Sequence, residues 1–178
     1  MLYFTSDTHF GSERTLELHR RPFASTIQMN VDIIGNWNRI VRMDDTVVHL
    51  GDFGDPHIIR ALCFKKLYII PGNHDIKNPG VVEELKKDPR VELWQSGKEL
   101  TLADGKRYCL VHEPLSGFGR DKFYLFGHIH RLQLVKRNGI NVSQDIHNFR
   151  PVDETNIMGL RKFIENHYDE NVFTERCE

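Results

Sequence analysis

Thr46 to Asp52, TVVHLGD, is a short β-branched run that ends in a glycine and a carboxylate, and it narrows the possible folds more than any other stretch. Val47, Val48 and Leu50 suit a strand covered on both faces, as in the parallel part of an α/β sheet. Gly51 allows a sharp turn and close backbone approach to a ligand. Asp52 is thereby delivered to the strand's C-terminal end, facing a crevice. An apolar run followed by metal-ligating residue types recurs in LYIIPGNHD (Leu67 to Asp75), RYCLVHE (Arg107 to Glu113) and FYLFGHIH (Phe123 to His130). Open α/β sheets bind ligands outside the carboxyl ends of their strands, so four such ends predict one convergent site.

A chain of 178 residues is expected to form one domain over residues 1–178, able to bury its core without disulfides or a structural metal. With 24 Lys plus Arg against 25 Asp plus Glu, the net charge of -1 supplies no global field toward nucleic acid or membrane. Nucleic acid stays open as a partner through a local contact, but the charge balance does not support it. The ten histidines stand out, several of them beside Asp, Asn or Gly at strand ends. Cys63, Cys109 and Cys177 are odd in number and lack CxxC spacing, which fits reduced thiols. No apolar run approaches the roughly 18 residues of a membrane span, and LYFTS opens the chain without a basic leader. The expected compartment is the cytoplasm.

In chain order, Leu2 to Ser6 reads as a strand, with Asp7 and His9 on the loop beyond it. Gly11 to Phe23 is polar, rich in His and Arg, and reads as a long loop beside the site. Ser25 with Gln28 forms a capping-box signature, and Ile27, Val31, Ile34, Trp37 and Val41 follow at helical spacing. They predict a helix over Thr26 to Arg42 with that stripe in the core. Asp55 can cap a helix that begins at Pro56. Leu67 to Ile70 reads as a buried strand, and Val81 to Lys87 as a helix. The alternation of strand and helix over the first ninety residues indicates parallel pairing. Beyond Val91, the segments VELW, ELTLA, KRYCLV, FYLF, QLVKR and INVS, with turn signals at Asp104-Gly105 and Asn138-Gly139, predict an antiparallel half. Asp153 and Glu154 open a last helix carrying Ile157, Leu160, Ile164 and Tyr168 on one face, and the polar tail from Glu170 is expected to fray.

The strand ends together supply Asp7, His9, Asp52, Asn73, His74, His112, His128 and His130. A set of N and O donors without cysteine suits borderline divalent metals. In this ordered series of blocks, D-x-H at Asp7 and His9, GDFGD at Gly51 to Asp55, GNHD at Gly72 to Asp75, VH at Val111 and His112, and GHIH at Gly127 to His130, the sequence resembles the calcineurin-like metallophosphoesterase family. The resemblance implies a four-layer α/β/β/α sandwich of two mixed sheets flanked by helices. It assigns one metal to Asp7, His9, Asp52 and His130, and a second to Asp52, Asn73, His112 and His128. Asp52 would bridge them, because two cations roughly 3.5 to 4 Å apart need anionic ligands between them. The two ions are expected to be divalent, manganese first, with Fe, Ni, Zn and Mg as alternatives. By the same resemblance His74 is the catalytic histidine, protonating the leaving-group oxygen, and Asp55 is the carboxylate that orients it. A helix cap is the other reading of Asp55.

The implied activity is hydrolysis of a phosphodiester or small phosphate monoester by a metal-bridging hydroxide. A binding scaffold that keeps the fold without catalysis is the alternative. In the family's Ser/Thr protein phosphatases an Arg follows the Asp at position 55, whereas this chain has Pro56, which argues against a phosphoprotein substrate. Asn73, His19, Arg20, Arg21 and Arg131 are the candidates for substrate contact, set against a solvated basic surface for the three arginines and His19. His49 reads as a packed histidine. His57, His147 and His167 read as ordinary, although His147 to Val152 could reach the site.

Overall fold

The computed structural model describes residues 1–114 and 121–169. Cys177 and the tail from Glu170 lie outside the described residues. In chain order the first half carries β1 (Leu2–Thr5), α1 (Glu13–Leu18), α2 (Thr26–Ile40), β2 (Thr46–His49), a 3₁₀ turn (Pro56–Ala61), β3 (Lys66–Ile69), α3 (Asn73–Lys77), α4 (Pro79–Leu85) and β4 (Val91–Leu93). The second half carries β5 (Lys98–Thr101), β6 (Arg107–Leu110), β7 (Tyr124–Phe126), β8 (Val135–Lys136), β9 (Gly139–Asn141), a 3₁₀ turn (Gln144–Ile146), β10 (Val152–Asp153) and α5 (Glu154–His167). No helix among the described residues is long and apolar enough to cross a membrane.

The strands form two five-stranded mixed sheets, ordered β10-β1-β2-β3-β4 and β5-β6-β7-β9-β8. In the first, β1 to β4 run parallel and β10 pairs antiparallel with β1. Their register sets Thr5 beside His49 and His49 beside Ile69, so the loops after β1, β2 and β3 leave one edge together. The second sheet corrects the antiparallel expectation. Only its outer pairs, β5 with β6 and β8 with β9, are antiparallel; β6, β7 and β9 run parallel. The two turn signals in the sequence report the hairpins, whereas the central strands are joined by longer connections that carry no such signature. VELW also departs from its assigned half: β4 extends the first sheet.

Alternation along each buried strand divides the core. Tyr3, Val47, Leu67 and Ile69 face outward against Met29, Ile33 and Trp37 of α2, with Ile59, Leu62, Phe64 and Leu85. Phe4, Val48, Leu50 and Ile70 face the other way and meet Tyr108, Leu110, Leu125, Ile140 and Val142 of the second sheet, with Ile157 and Ile164 of α5 closing that layer. Each large apolar side chain buried here contributes about 1.5–3 kcal/mol relative to exposure.

Ser25 caps α2 as expected, its hydroxyl accepting from Gln28 N. The buried face of α2 differs from the expected stripe: Ile27 and Val31 are 76% and 62% exposed. Met29, Ile33 and Trp37 recur at i, i+4 and i+8 and point to the sheet, about a quarter turn from the stripe that began at Ile27. Asp153 caps α5 as predicted, and Leu160 and Tyr168 pack against the same cluster as Ile157 and Ile164. The expected long loop over Gly11 to Phe23 contains α1. Ser12 caps it by accepting from Thr15 N, and with only Thr15 fully buried the helix is too short to show periodicity.

Candidate metal centre

The loops after β1, β2, β3, β6 and β7 meet at one edge because backbone hydrogen bonds continue past the strands. Asp7 N donates to Gly51 O at 2.9 Å, His9 N to Asp52 O at 3.0 Å, Phe10 N to Phe53 O at 2.9 Å, and Gly127 N to His112 O at 2.9 Å. Gly51 sits at φ +95, and a Cβ there would lie 2.8 Å from His112 Nδ1. At Gly127 a Cβ would come within 2.6 Å of Asp7 Oδ2. Only hydrogen fits at these two positions, which is what brings the loops into contact.

Two donor groups result: Asp7 with His9 and His130, and Asp7 with Asp52 and His112, each with its ligand atoms within 4.8 Å of one another and every member buried. Asp52 Oδ2 lies 3.4 Å from His9 Nε2 and 3.5 Å from His112 Nε2, between the two histidines. Its Oδ1 accepts from His74 N at 2.9 Å. Asp7 Oδ2 accepts from Ser6 Oγ at 2.6 Å and from His128 N at 3.0 Å. Asn73 Oδ1 stands 3.0 Å from both His112 Nε2 and His128 Nδ1. His128 Nε2 faces Glu113 at 3.8 Å.

Burial and charge compete here. For Asp52, burial works to raise the carboxyl pKa, but the hydrogen bond and charge of His112, the charge of His9 and the His74 N–H outweigh it and hold the group well below the usual carboxylate range. For His112, burial lowers the pKa, yet its hydrogen bond to Asp52, the charges of Asp7 and Asp52 and its bond to the Leu50 carbonyl push it up to about 9. His9 is driven the other way by burial. The two carboxylates thus draw positive charge into the space between them.

The sequence model of the calcineurin-like phosphoesterase superfamily domain matches residues 1–144, covering all these loops. The chain belongs to this superfamily. An uncharacterized protein of Methanocaldococcus jannaschii is 28% identical, the match covering 85% of each chain. Among solved structures, a protein of unknown function from Aquifex aeolicus superposes with a TM-score of 0.68 at 24% identity, covering 90% of this chain and 98% of that one. That likeness supports the fold. A structure described as a novel archaeal phosphodiesterase gives a TM-score of 0.45 at 17% identity, over 80% of this chain and 81% of that one.

The donor set of this calcineurin-like chain fits divalent cations on its own chemistry. His9 Nε2 is buried without a hydrogen-bond partner. His112 Nδ1 donates to Leu50 O at 2.7 Å, which turns Nε2 toward the oxygens of Asn73 and Asp52. Two carboxylates buried beside an imidazole nitrogen that has no partner are costly unless positive charge sits among them, and a bound cation supplies it.

The predicted ligands Asp7, His9, Asp52, Asn73, His112, His128 and His130 are brought together at this edge. Asp7 belongs to both donor groups, where the sequence reading had only Asp52 shared. His74 projects from the start of α3 at the mouth, exposed, its ring edge-on to His9 at 5.0 Å. Asp55 takes the cap role, accepting from His57 N at 2.9 Å, and no hydrogen bond joins it to His74 among the described residues. Arg21 is a correction. It is buried, and its guanidinium bonds Asp145 and the carbonyls of Asp7 and Thr8, leaving it no reach toward a substrate. His19 stacks on His130 with ring centroids 3.5 Å apart, while Arg20 and Arg131 are exposed. His49 is packed as expected, 0% exposed. His147 bonds the Asn141 carbonyl and stays structural.

Sequence reasoning missed two carboxylates. Asp75, the last residue of GNHD, accepts from the backbone N–H of Asp52, Phe53 and Gly72 at 2.7, 3.1 and 2.9 Å, joining the loops after β2 and β3. Burial, aided by the charge of Asp52, pushes its pKa up against those N–H groups. Asp145 accepts from His130 Nδ1 at 2.8 Å. It stands just past the strand-like segment INVS (Ile140 to Ser143), so the strand-end rule that located Asp52 could have found it.

Proposed function

We propose that the chain is a dinuclear metal-dependent phosphoesterase that hydrolyses a phosphodiester or a small phosphate monoester, with His74 as general acid. The observation that carries this reading is the pair of buried carboxylates, Asp7 and Asp52, shared by histidines on both sides within one loop cluster. Bound there, two divalent cations, manganese first, would polarise the phosphoryl oxygens and activate water for in-line attack. Asp7, His9, Asp52 and His130 would hold one ion, and Asp52, Asn73, His112 and His128 the other. His74 is anchored through its backbone N–H to Asp52 while its ring stays exposed at the mouth, where it can give a proton to a departing oxygen. Glu113, beside His128, adds negative charge at the rim, which favours a singly charged diester over a doubly charged monoester. Arg20 and Arg131, both exposed, and His19, stacked on His130, are the side chains that would meet the phosphate. The free thiols of Cys63 and Cys109 accord with the reducing cytoplasm.

The test is chelation followed by Mn(II) add-back, with bis(p-nitrophenyl) phosphate, its monoester, cyclic nucleotides, single-stranded oligonucleotides and a phosphopeptide compared at fixed metal and salt. Activity should vanish on chelation, return with metal and be greatest on a diester. Full turnover from protein shown to be metal-free by elemental analysis would sink the proposal. A preference for the phosphopeptide would overturn the substrate class, and two bound ions without hydrolysis of any ester would point to a scaffold.

A further inference from the structure

We infer that Asp145, gripped by Arg21, is a positioning residue for His130: it holds the buried imidazole with Nε2 toward Asp7 and so sets cation affinity at the Asp7–His9–His130 side of the site. The inference rests on the metal reading above and adds a role that none of the five motif blocks contains.

Asp145 Oδ2 lies 2.8 Å from His130 Nδ1. A carboxylate only accepts, so Nδ1 carries the proton and Nε2 the lone pair, 4.0 Å from Asp7 Oδ1. A second hydrogen bond of this kind to a ligating histidine fixes its tautomer and ring orientation. Asp145 is itself held. Arg21 Nε meets Oδ1 at 2.9 Å and Nη2 meets Oδ2 at 2.7 Å, a two-pronged grip, and Ser143 Oγ adds a bond to Oδ2 at 3.3 Å. The remaining donors of Arg21 close onto the Thr8 carbonyl at 2.9 Å and the Asp7 carbonyl at 2.6 Å. The side chains of Arg21 and Asp145 are 0% and 2% exposed.

One guanidinium therefore locks three segments: the loop after β1 that carries Asp7 and His9, the segment after α1, and the 3₁₀ turn after β9. The same segment after α1 seats His19 against the His130 ring. A pair that merely stapled loops would need no carboxylate oxygen on the ring nitrogen. Here one oxygen of Asp145 serves both the staple and the imidazole.

The experiment titrates chelator-stripped, full-length protein with Mn(II) by calorimetry and counts ions by elemental analysis, with thermal unfolding recorded alongside. Wild type should bind two ions. Asp145→Asn should weaken one of them about 10- to 100-fold and leave the other nearly unchanged. In a His130→Gln background the same change should cost no further affinity, because the partner through which Asp145 acts is gone. Arg21→Lys keeps the charge and loses the two-pronged grip. It should weaken the same ion by a smaller factor, and it serves as the test if Asp145→Asn does not fold. Wild-type affinity for both ions in Asp145→Asn, or in Arg21→Lys should that be the variant that folds, overturns the inference even when the melting temperature drops. So does an equal loss in both backgrounds. Wild type that binds no ion would overturn the phosphoesterase reading as well, which separates the two failures.

Discussion

His49 makes stability depend on pH in a direction and window that its contacts dictate. The ring is fully buried on β2, its Nδ1 accepting from Gly51 N at 3.1 Å and its Nε2 3.0 Å from Thr8 Oγ1. Thr8 Oγ1 donates its own proton to Phe53 O at 2.8 Å, so it accepts from Nε2–H and the neutral tautomer is fixed. A proton on Nδ1 would meet the Gly51 N–H head-on. Burial chiefly, with His112 assisting and Asp52 opposing, lowers the pKa from 6.5 to about 3. The unfolded chain takes up a proton below pH 6.5 that the folded chain refuses until near pH 3, so this contribution to stability is complete above 6.5 and falls with pH across that window. Each pH unit costs about 1.4 kcal/mol, so a drop from pH 6.5 to 4.5 should remove about 2.5 kcal/mol through this one residue. The assay is urea denaturation of chelator-treated protein at half-unit pH steps, comparing wild type with His49→Gln. Other buried histidines add to the wild-type slope, but they are common to both proteins and cancel in the difference. Parallel stability curves for the two proteins between pH 6.5 and 4.5 would refute the reasoning.

Three further outcomes follow from named contacts. His74→Ala should lower turnover by roughly 10² to 10⁴ on a substrate with a poor leaving group while keeping both ions, a split read by kinetics beside elemental analysis. Asp52→Asn should lose metal and activity together, since it removes the charge lying between His9 and His112; metal content decides it. Trp37→Ala should cost about 3–5 kcal/mol in denaturant titration with little change in metal content, because it empties the outer layer and strips the Cys63 carbonyl of its indole N–H donor at 2.9 Å.

How much of this was legible in the sequence depends on whether a feature is local. The strand ends that carry Asp52, Asn73, His112 and His128 announce themselves through an apolar run and the residues that follow it. The helix caps at Ser25, Asp55 and Asp153 are equally local, and each forms as read. The pairing of β6, β7 and β9 was hidden because strand direction depends on the connection, which carries no turn signature. The rotation of α2 was hidden because Ile27 and Val31 are as apolar as Met29 and Ile33, so composition alone admits either face. Arg21 was misread for a related reason: an arginine's partner can lie far along the chain, and Asp145 is 124 residues away. A basic side chain near a phosphate site looks the same in sequence whether it meets substrate or a buried carboxylate.

Backbone strain is concentrated at the site, although Arg20, Asn148 and Phe149 share it. The non-glycine residues with positive φ include Asp7 at 57°, His9 at 46°, Asp52 at 59°, His128 at 68° and His130 at 49°, all of them candidate ligands. Asp and His enter this left-handed region more readily than most residues, yet each still costs on the order of 1 kcal/mol. The strain has a geometric use. A residue that leaves a strand in extended conformation sends its side chain to a face of the sheet, whereas a left-handed residue at the strand end turns it along the strand axis into the crevice. The backbone bonds from Asp7 N to Gly51 O and from His9 N to Asp52 O, with the Arg21 grip on the Asp7 and Thr8 carbonyls, hold these residues in place. Replacing the half-buried His128 by glycine would relax the backbone while deleting the donor, so denaturant titration of metal-free protein should show stability held while metal content falls. That opposition between stability and binding is expected where strain serves a site.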